Sequence, residues 1–176
     1  MILNIKEYSP AFRALSKTFD CGNSYLNQFI RSPDALEPGI GKTYVCLSDD
    51  AQELIGYYNI SCGALDELDD GRRCKIGGAI HLGYFAVDSK HHHELQETTP
   101  SGARLYLSDL LLEDCLARVE QIRSSWVGTA FVTLASSEAG EKLYRRHGFD
   151  DLDDDITFSP VHGEDECICL YLPLDY

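Results

Sequence analysis

Two side chains in this 176-residue sequence have chemistry suited to moving protons during group transfer. Tyr144 lies in Leu143-Tyr144-Arg145-Arg146-His147-Gly148-Phe149, and its phenol, with an unperturbed pKa of about 10, matches an alkyl thiol closely enough to protonate a departing thiolate. It is the candidate general acid. His81, in the apolar run from Ala79 to Asp88, has an imidazole near pKa 6.5 and is the candidate base. Each has a plainer alternative: Tyr144 and Phe149 could pack a helix on a sheet, and His81 could be a satisfied core histidine.

The elements that would position Tyr144 are a strand over Val127 to Leu134, a short helix beginning at Ser136-Ser137-Glu138, and Gly148 as a left-handed stop. Upstream, Leu3 to Tyr8 alternates like a first strand, Ala11 to Phe19 makes a helical turn, and Asn23 caps a helix from Ser24 to Arg31. Lys42–Leu47 and Glu53–Leu65 read as a hairpin, followed by a loop with Arg72, Arg73 and Lys75, a fourth strand Ala79–Asp88, a helix from about Gly102 to Ile122, and a final strand Glu166–Leu172.

Tyr-x-x-x-Gly-Phe, the residues from Tyr144 to Phe149, resembles the C-terminal signature of the GNAT superfamily, the acyl-CoA-dependent N-acetyltransferases; Ser137 and Gly140 stand where that family often has Asn and Ala. Phe85-Ala86-Val87-Asp88 resembles the end of the GNAT strand that enters the cofactor loop. The resemblance implies a mixed, mostly antiparallel α/β sheet of about six to seven strands flanked by helices, with acetyl-CoA as co-substrate. Its pantetheine arm would pair with main-chain groups of Phe85, Ala86 and Val87, beside Thr133 to Ser137, and Arg145 would meet the adenosine 3′-phosphate. Family members follow the strand with a glycine-rich turn, where this chain has Ser89 to Arg104 without those glycines. The best register puts Ala103 at the basic position, Tyr106 at the first glycine and Ser108 at the last small residue. Arg104, Leu105, Tyr106, Leu107 and Ser108 therefore carry the expected phosphate contact, through helix N-terminal amides and the Arg104 charge.

Phe19-x-Cys21-Gly22-x-x-x-Leu26, Gly41-Lys42-Thr43-Tyr44-Val45 and Ile55-Gly56-Tyr57-Tyr58 are similar to the GNAT subgroup of toxins that acetylate the amine of aminoacyl-tRNA and work beside a DNA-binding antitoxin. Charge argues the other way. With 29 acidic against 15 basic residues the net charge is −14, which repels phosphate backbones and favours cationic partners. The expected acceptor is therefore a small-molecule or peptide amine rather than nucleic acid. An aminoacyl-tRNA acetylating toxin, or an interaction module that has lost its cofactor, is the alternative, and a homodimer is compatible with either.

The remaining features set bounds. The length suits one domain, and no run of about 18 apolar residues occurs, so a cytoplasmic protein without a membrane span is expected. Seven cysteines, an odd number lying mostly in apolar runs, favour buried reduced thiols over a disulfide frame. Cys167-x-Cys169 and His91-His92-His93 invite a metal, but lack partners at zinc-like spacing, and the three histidines read as a solvated mobile loop. Cys62 as a covalent nucleophile is a weaker variant, since no His/Asp pair accompanies it.

Overall fold

The computed structural model describes residues 3–100, 102, 104–159 and 167–174, and within it the chain forms two compact units, Met1–Asn59 with Tyr84–Ala117, and Ile60–Gly83 with Arg118–Tyr176. Ala103 and Glu166, which carried expectations above, lie outside the described residues.

In the first unit β1 (Asn4–Glu7) runs antiparallel to β2 (Lys42–Leu47), with Asn4 opposite Leu47. Next in order is β3 (Leu54–Asp69), then β4 (Arg72–Val87). A 310 turn and the single-turn α1 (Arg13–Ser16) precede α2 (Ser24–Arg31). The expected cap of α2 is present: the Asn23 side chain accepts from the Tyr25 and Leu26 amides, satisfying two of the donors that any helix start leaves open.

Adjacent residues on a strand face opposite ways, and Tyr57 and Tyr58 show where the layers lie. The Tyr57 hydroxyl donates to the Leu26 carbonyl on α2 at 2.8 Å, while the Tyr58 hydroxyl donates to the Asp114 carboxylate on α3 (Leu107–Ser125). One helix therefore covers each face of β3. Phe29, Ile30, Val45, Leu47, Leu54 and Tyr57 form the core on the α2 side, and each such burial is worth roughly 1.5–3 kcal/mol. Gly56 permits the approach on the other side, since a Cβ there would stand 3.0 Å from Leu111 Cδ2 and 3.1 Å from the Ala86 carbonyl oxygen.

The segment before α3 departs from expectation. It folds as a hairpin of β5 (Leu95–Thr98) and β6 (Arg104–Tyr106), with Thr98 opposite Arg104, so the helix starts at Leu107 and not at Gly102. The histidines are also held: His91 Nδ1 lies 2.7 Å from Glu94, and His92 Nε2 lies 2.9 Å from the Val87 carbonyl.

In the second unit the turn Asp70-Gly71 joins β3 to β4, both residues having positive φ (46° and 75°). That is the turn whose twist matches a two-residue hairpin. The basic segment expected as a loop is thus part of β4, and Asp66, one residue past the expected strand end at Leu65, is 8% exposed on β3 with Arg73 3.9 Å away. β9 (Ile156–Ser159) pairs antiparallel with Ala64–Glu67 of β3. β7 (Phe131–Ser136) runs parallel to β4, and β10 (Ile168–Pro173) antiparallel to β7, with β8 (Asp150–Asp151) on its far side. β7 starts four residues later than expected because the Trp126 and Val127 amides still bond to the Ile122 carbonyl of α3, which leaves Trp126 80% exposed. α4 (Glu138–Arg146) follows β7.

All seven cysteines are free; Cys46 and Cys115 are buried, but Cys62 and Cys74 are exposed, contrary to the expectation of buried thiols. Burial pushes the Cys46 thiol up to about 12. Among the described residues no group of three or more His, Cys, Asp or Glu could hold a metal ion, and no helix is long and apolar enough to cross a membrane.

Candidate functional site

Six consecutive residues close α4. Gly148 has φ +87°, its amide donates to the Arg145 carbonyl at 3.2 Å, and the Phe149 amide reaches back to the Tyr144 carbonyl at 3.2 Å. This is the Schellman arrangement, and its usual apolar contact is present as the Tyr144 and Phe149 rings, 5.7 Å apart at 66°. Tyr-x-x-x-Gly-Phe therefore has a complete structural job in ending the helix. Tyr144 itself is 7% exposed.

Ser136 and Ser137 lead into the same helix, Ser137 as its N-cap residue with its carbonyl receiving the Gly140 and Glu141 amides. A Cβ at Gly140 would meet Ser136 Oγ at 3.1 Å and Tyr144 Cε2 at 3.3 Å, so glycine there lets the phenol ring lie close over the first turn. Arg145 lies 2.7 Å from Glu141 and 2.7 Å from Asp151. The Asp151 hydrogen bond, then that of Glu141, raises its pKa. A phosphate would have to compete with both carboxylates for that guanidinium.

The parallel ladder of β4 with β7 covers Ala79–Leu82 against Phe131–Leu134, while β4 continues to Val87 and β7 to Ser136. His81 lies inside that ladder. It is fully buried, its Nδ1 is 3.1 Å from Thr133 Oγ1, and its ring is 5.2 Å from that of Phe158. Those contacts engage its ring and its Nδ1 within the protein.

In the first unit, Ala86 and Val87 are buried and Phe85 is half-buried. The Val87 carbonyl already faces His92 Nε2. Arg104, Leu105 and Tyr106, expected at a helix N-terminus, stand on β6, because pairing with β5 extends them. Two amides at the start of α3 are engaged within the chain: that of Tyr106 donates to the Asp109 carboxylate at 2.8 Å, and that of Leu107 to the Glu94 carbonyl at 3.2 Å. A diphosphate would face the buried Asp109 carboxylate at this helix start. Ser108 and the exposed Arg104 remain as the phosphate-side candidates that fit best.

Two groups escaped the sequence reading. Tyr84 stacks on Phe29 with ring centroids 3.5 Å apart and shares a 3.2 Å hydroxyl contact with Tyr25; desolvation, then that hydrogen bond, raises its pKa. Asp88 is 1% exposed and accepts from the Asp20 and Lys90 amides. Nothing local in the sequence marks a buried carboxylate at the end of a strand.

No family model and no curated protein matches the chain. Solved structures do. A tyrosine-to-phenylalanine variant of KacT superposes with a TM-score of 0.72 at 21% identity, covering 98% of this chain and 95% of that one. AtaTR bound with acetyl-CoA gives 0.67 at 20% identity, covering 97% and 93%. AtaT complexed with acetyl-methionyl-tRNAfMet gives 0.68 at 19% identity, covering 98% and 95%. Identities of this size speak to architecture alone: the chain has the GNAT fold, a mixed and mostly antiparallel sheet flanked by helices, which it shares with these structures.

Proposed function

We propose that this chain is an acetyl-CoA-dependent N-acetyltransferase whose acceptor is the amine of an aminoacyl-tRNA. The observation that carries it is Tyr144, held at the third position from the end of α4, directly after β7, by a helix stop that fixes both its backbone and its ring. Acetyl-CoA would supply the activated acyl group. As the amine nitrogen bonds to the acyl carbon and the carbon–sulfur bond breaks, Tyr144 gives its proton to the leaving thiolate, and the proton that the nitrogen sheds on becoming an amide passes to solvent, from which Tyr144 is reprotonated. The ammonium proton of the acceptor leaves to water, because His81 is buried against Thr133 and Phe158. A main-chain amide near the end of β4 would steady the acyl oxygen, with Phe85, Ala86 and Val87 as the strand along which the pantetheine arm is read.

The acceptor class follows the fold neighbours, since one of them is seen with an acetylated aminoacyl-tRNA. The three sequence blocks from Phe19, Gly41 and Ile55 agree with it. A charge of −14 opposes a long contact with the tRNA body, so docking would rest on the aminoacyl end, with a shallow dependence on salt. The test is transfer of labelled acetyl from acetyl-CoA to aminoacyl-tRNA and, in parallel, to a panel of free amines and peptides. Label in the aminoacyl-tRNA, lost with Tyr144→Phe, is the expected result. Label only in free amines would overturn the acceptor, and no transfer with no CoA binding would leave an interaction module.

A further inference from the structure

We infer that Asp88 is a positioning residue for the acyl carrier: its carboxylate clamps the point where β4 leaves the sheet and so fixes the main-chain groups of Phe85 to Val87. This rests on the acetyltransferase reading and adds to it a residue that touches neither substrate. One oxygen, Oδ2, accepts from the Asp20 amide at 2.9 Å, and the other, Oδ1, accepts from the Lys90 amide at 3.0 Å. The two bonds tie different stretches of chain to a single side chain that is 1% exposed. Main-chain bonds repeat the tie, since the Ser89 amide donates to the Asp20 carbonyl at 2.8 Å and the Asp88 amide to the Ile55 carbonyl at 2.9 Å.

The link from Phe19 to Asn23 is built to receive it. Asp20 Oδ1 accepts from the Gly22 amide and from Asn27 Nδ2, at 2.9 and 2.7 Å, while Asn27 Oδ1 accepts from the Cys21 amide at 3.0 Å. Gly22, at φ +84°, makes the tight return possible. The Phe19-x-Cys21-Gly22 block thus has a physical purpose: it presents the Asp20 amide to Asp88. A buried carboxylate accepting two backbone amides is a strong and directional joint. Without it the exit of β4 keeps the main-chain bonds and the His92 contact to the Val87 carbonyl but loses its tie to the Asp20 amide through a carboxylate, and the groups that would read pantetheine are held less firmly in direction.

The experiment measures CoA binding by calorimetry and steady-state transfer for the wild type, Asp88→Asn and Asp88→Ala, with thermal melting as the control for folding. Loss of charge-assisted bonds predicts, for Asp88→Ala, a Kd for CoA and a KM for acetyl-CoA raised about tenfold or more, with a smaller rise for Asp88→Asn, which keeps one acceptor oxygen. The KM for the acceptor should stay within about twofold of the wild type, a split that general loss of structure would not give. Folded Asp88 variants that bind CoA as the wild type does would overturn the inference and leave the enzyme reading intact. If Asp88→Ala does not fold, Asp88→Asn decides by the same criteria. A wild type that binds no CoA would overturn the acetyltransferase reading first and this inference with it.

Discussion

The last turn of α4 and the first turn of α3 are both helix ends near residues that matter, and they are built differently. α4 is closed by neighbours: Tyr144 to Phe149 supply every bond and the ring contact as well. α3 is opened by a carbonyl from Glu94, on the far side of the β5 and β6 hairpin, and by the Asp109 carboxylate. A stop made from consecutive residues can be read from a string of letters. A start that waits for a hairpin to form cannot, because the pairing that decides it is chosen by tertiary structure.

The largest effect is expected at Tyr144. Tyr144→Phe keeps the ring contact with Phe149 and should lower kcat by about 10²–10⁴-fold; equal activity in the two proteins would return the residue to a purely packing role. Next comes Gly148→Ala, which forces a Cβ into a left-handed conformation and should destabilise by about 1–2 kcal/mol in denaturant unfolding. Space is not the issue there, since the added carbon meets Leu172 at an ordinary 3.5 Å.

At the other helix end, Asp109→Ala removes the acceptor of the Tyr106 amide and should cost about 1 kcal/mol. It should also raise CoA affinity rather than lower it, because a negative charge leaves the helix start that would face phosphate. The smallest effect is at His91. Its hydrogen bond lowers the pKa of Glu94 below the usual 4.5, so the pair stabilises the fold above that value and the contribution is lost as pH falls through the lowered one. His91→Gln should therefore be less stable than the wild type at pH 5 by a few tenths of a kcal/mol, and the difference should close in more acidic buffer.

Legibility in the sequence followed the range of the interactions. The Asn23 cap, the run of elements and the αL glycine at 148 were all visible, being decided within a few residues. The Asp70-Gly71 turn was missed, because the basic residues after it, Arg72, Arg73 and Lys75, were read as a loop rather than as the start of β4. His81 was ambiguous because a polar residue in a strand reads the same whether it faces a cleft or a core, and only Thr133 and Phe158, brought by other strands, show its surroundings. The Asp88 joint was hidden for the same reason, its partners lying on another stretch of chain. In the sequence it was only an acid after Val87.

The uneven protection of the thiols has a practical consequence. Cys62 on β3 and Cys74 on β4 are open to solvent, whereas Cys46 and Cys115 are shielded and Cys46 resists ionisation. Mild alkylating dyes should therefore decorate the two arms of the Asp70-Gly71 hairpin ahead of these interior sulfurs. The chain carries its own pair of attachment points for watching that hairpin fray or close in solution.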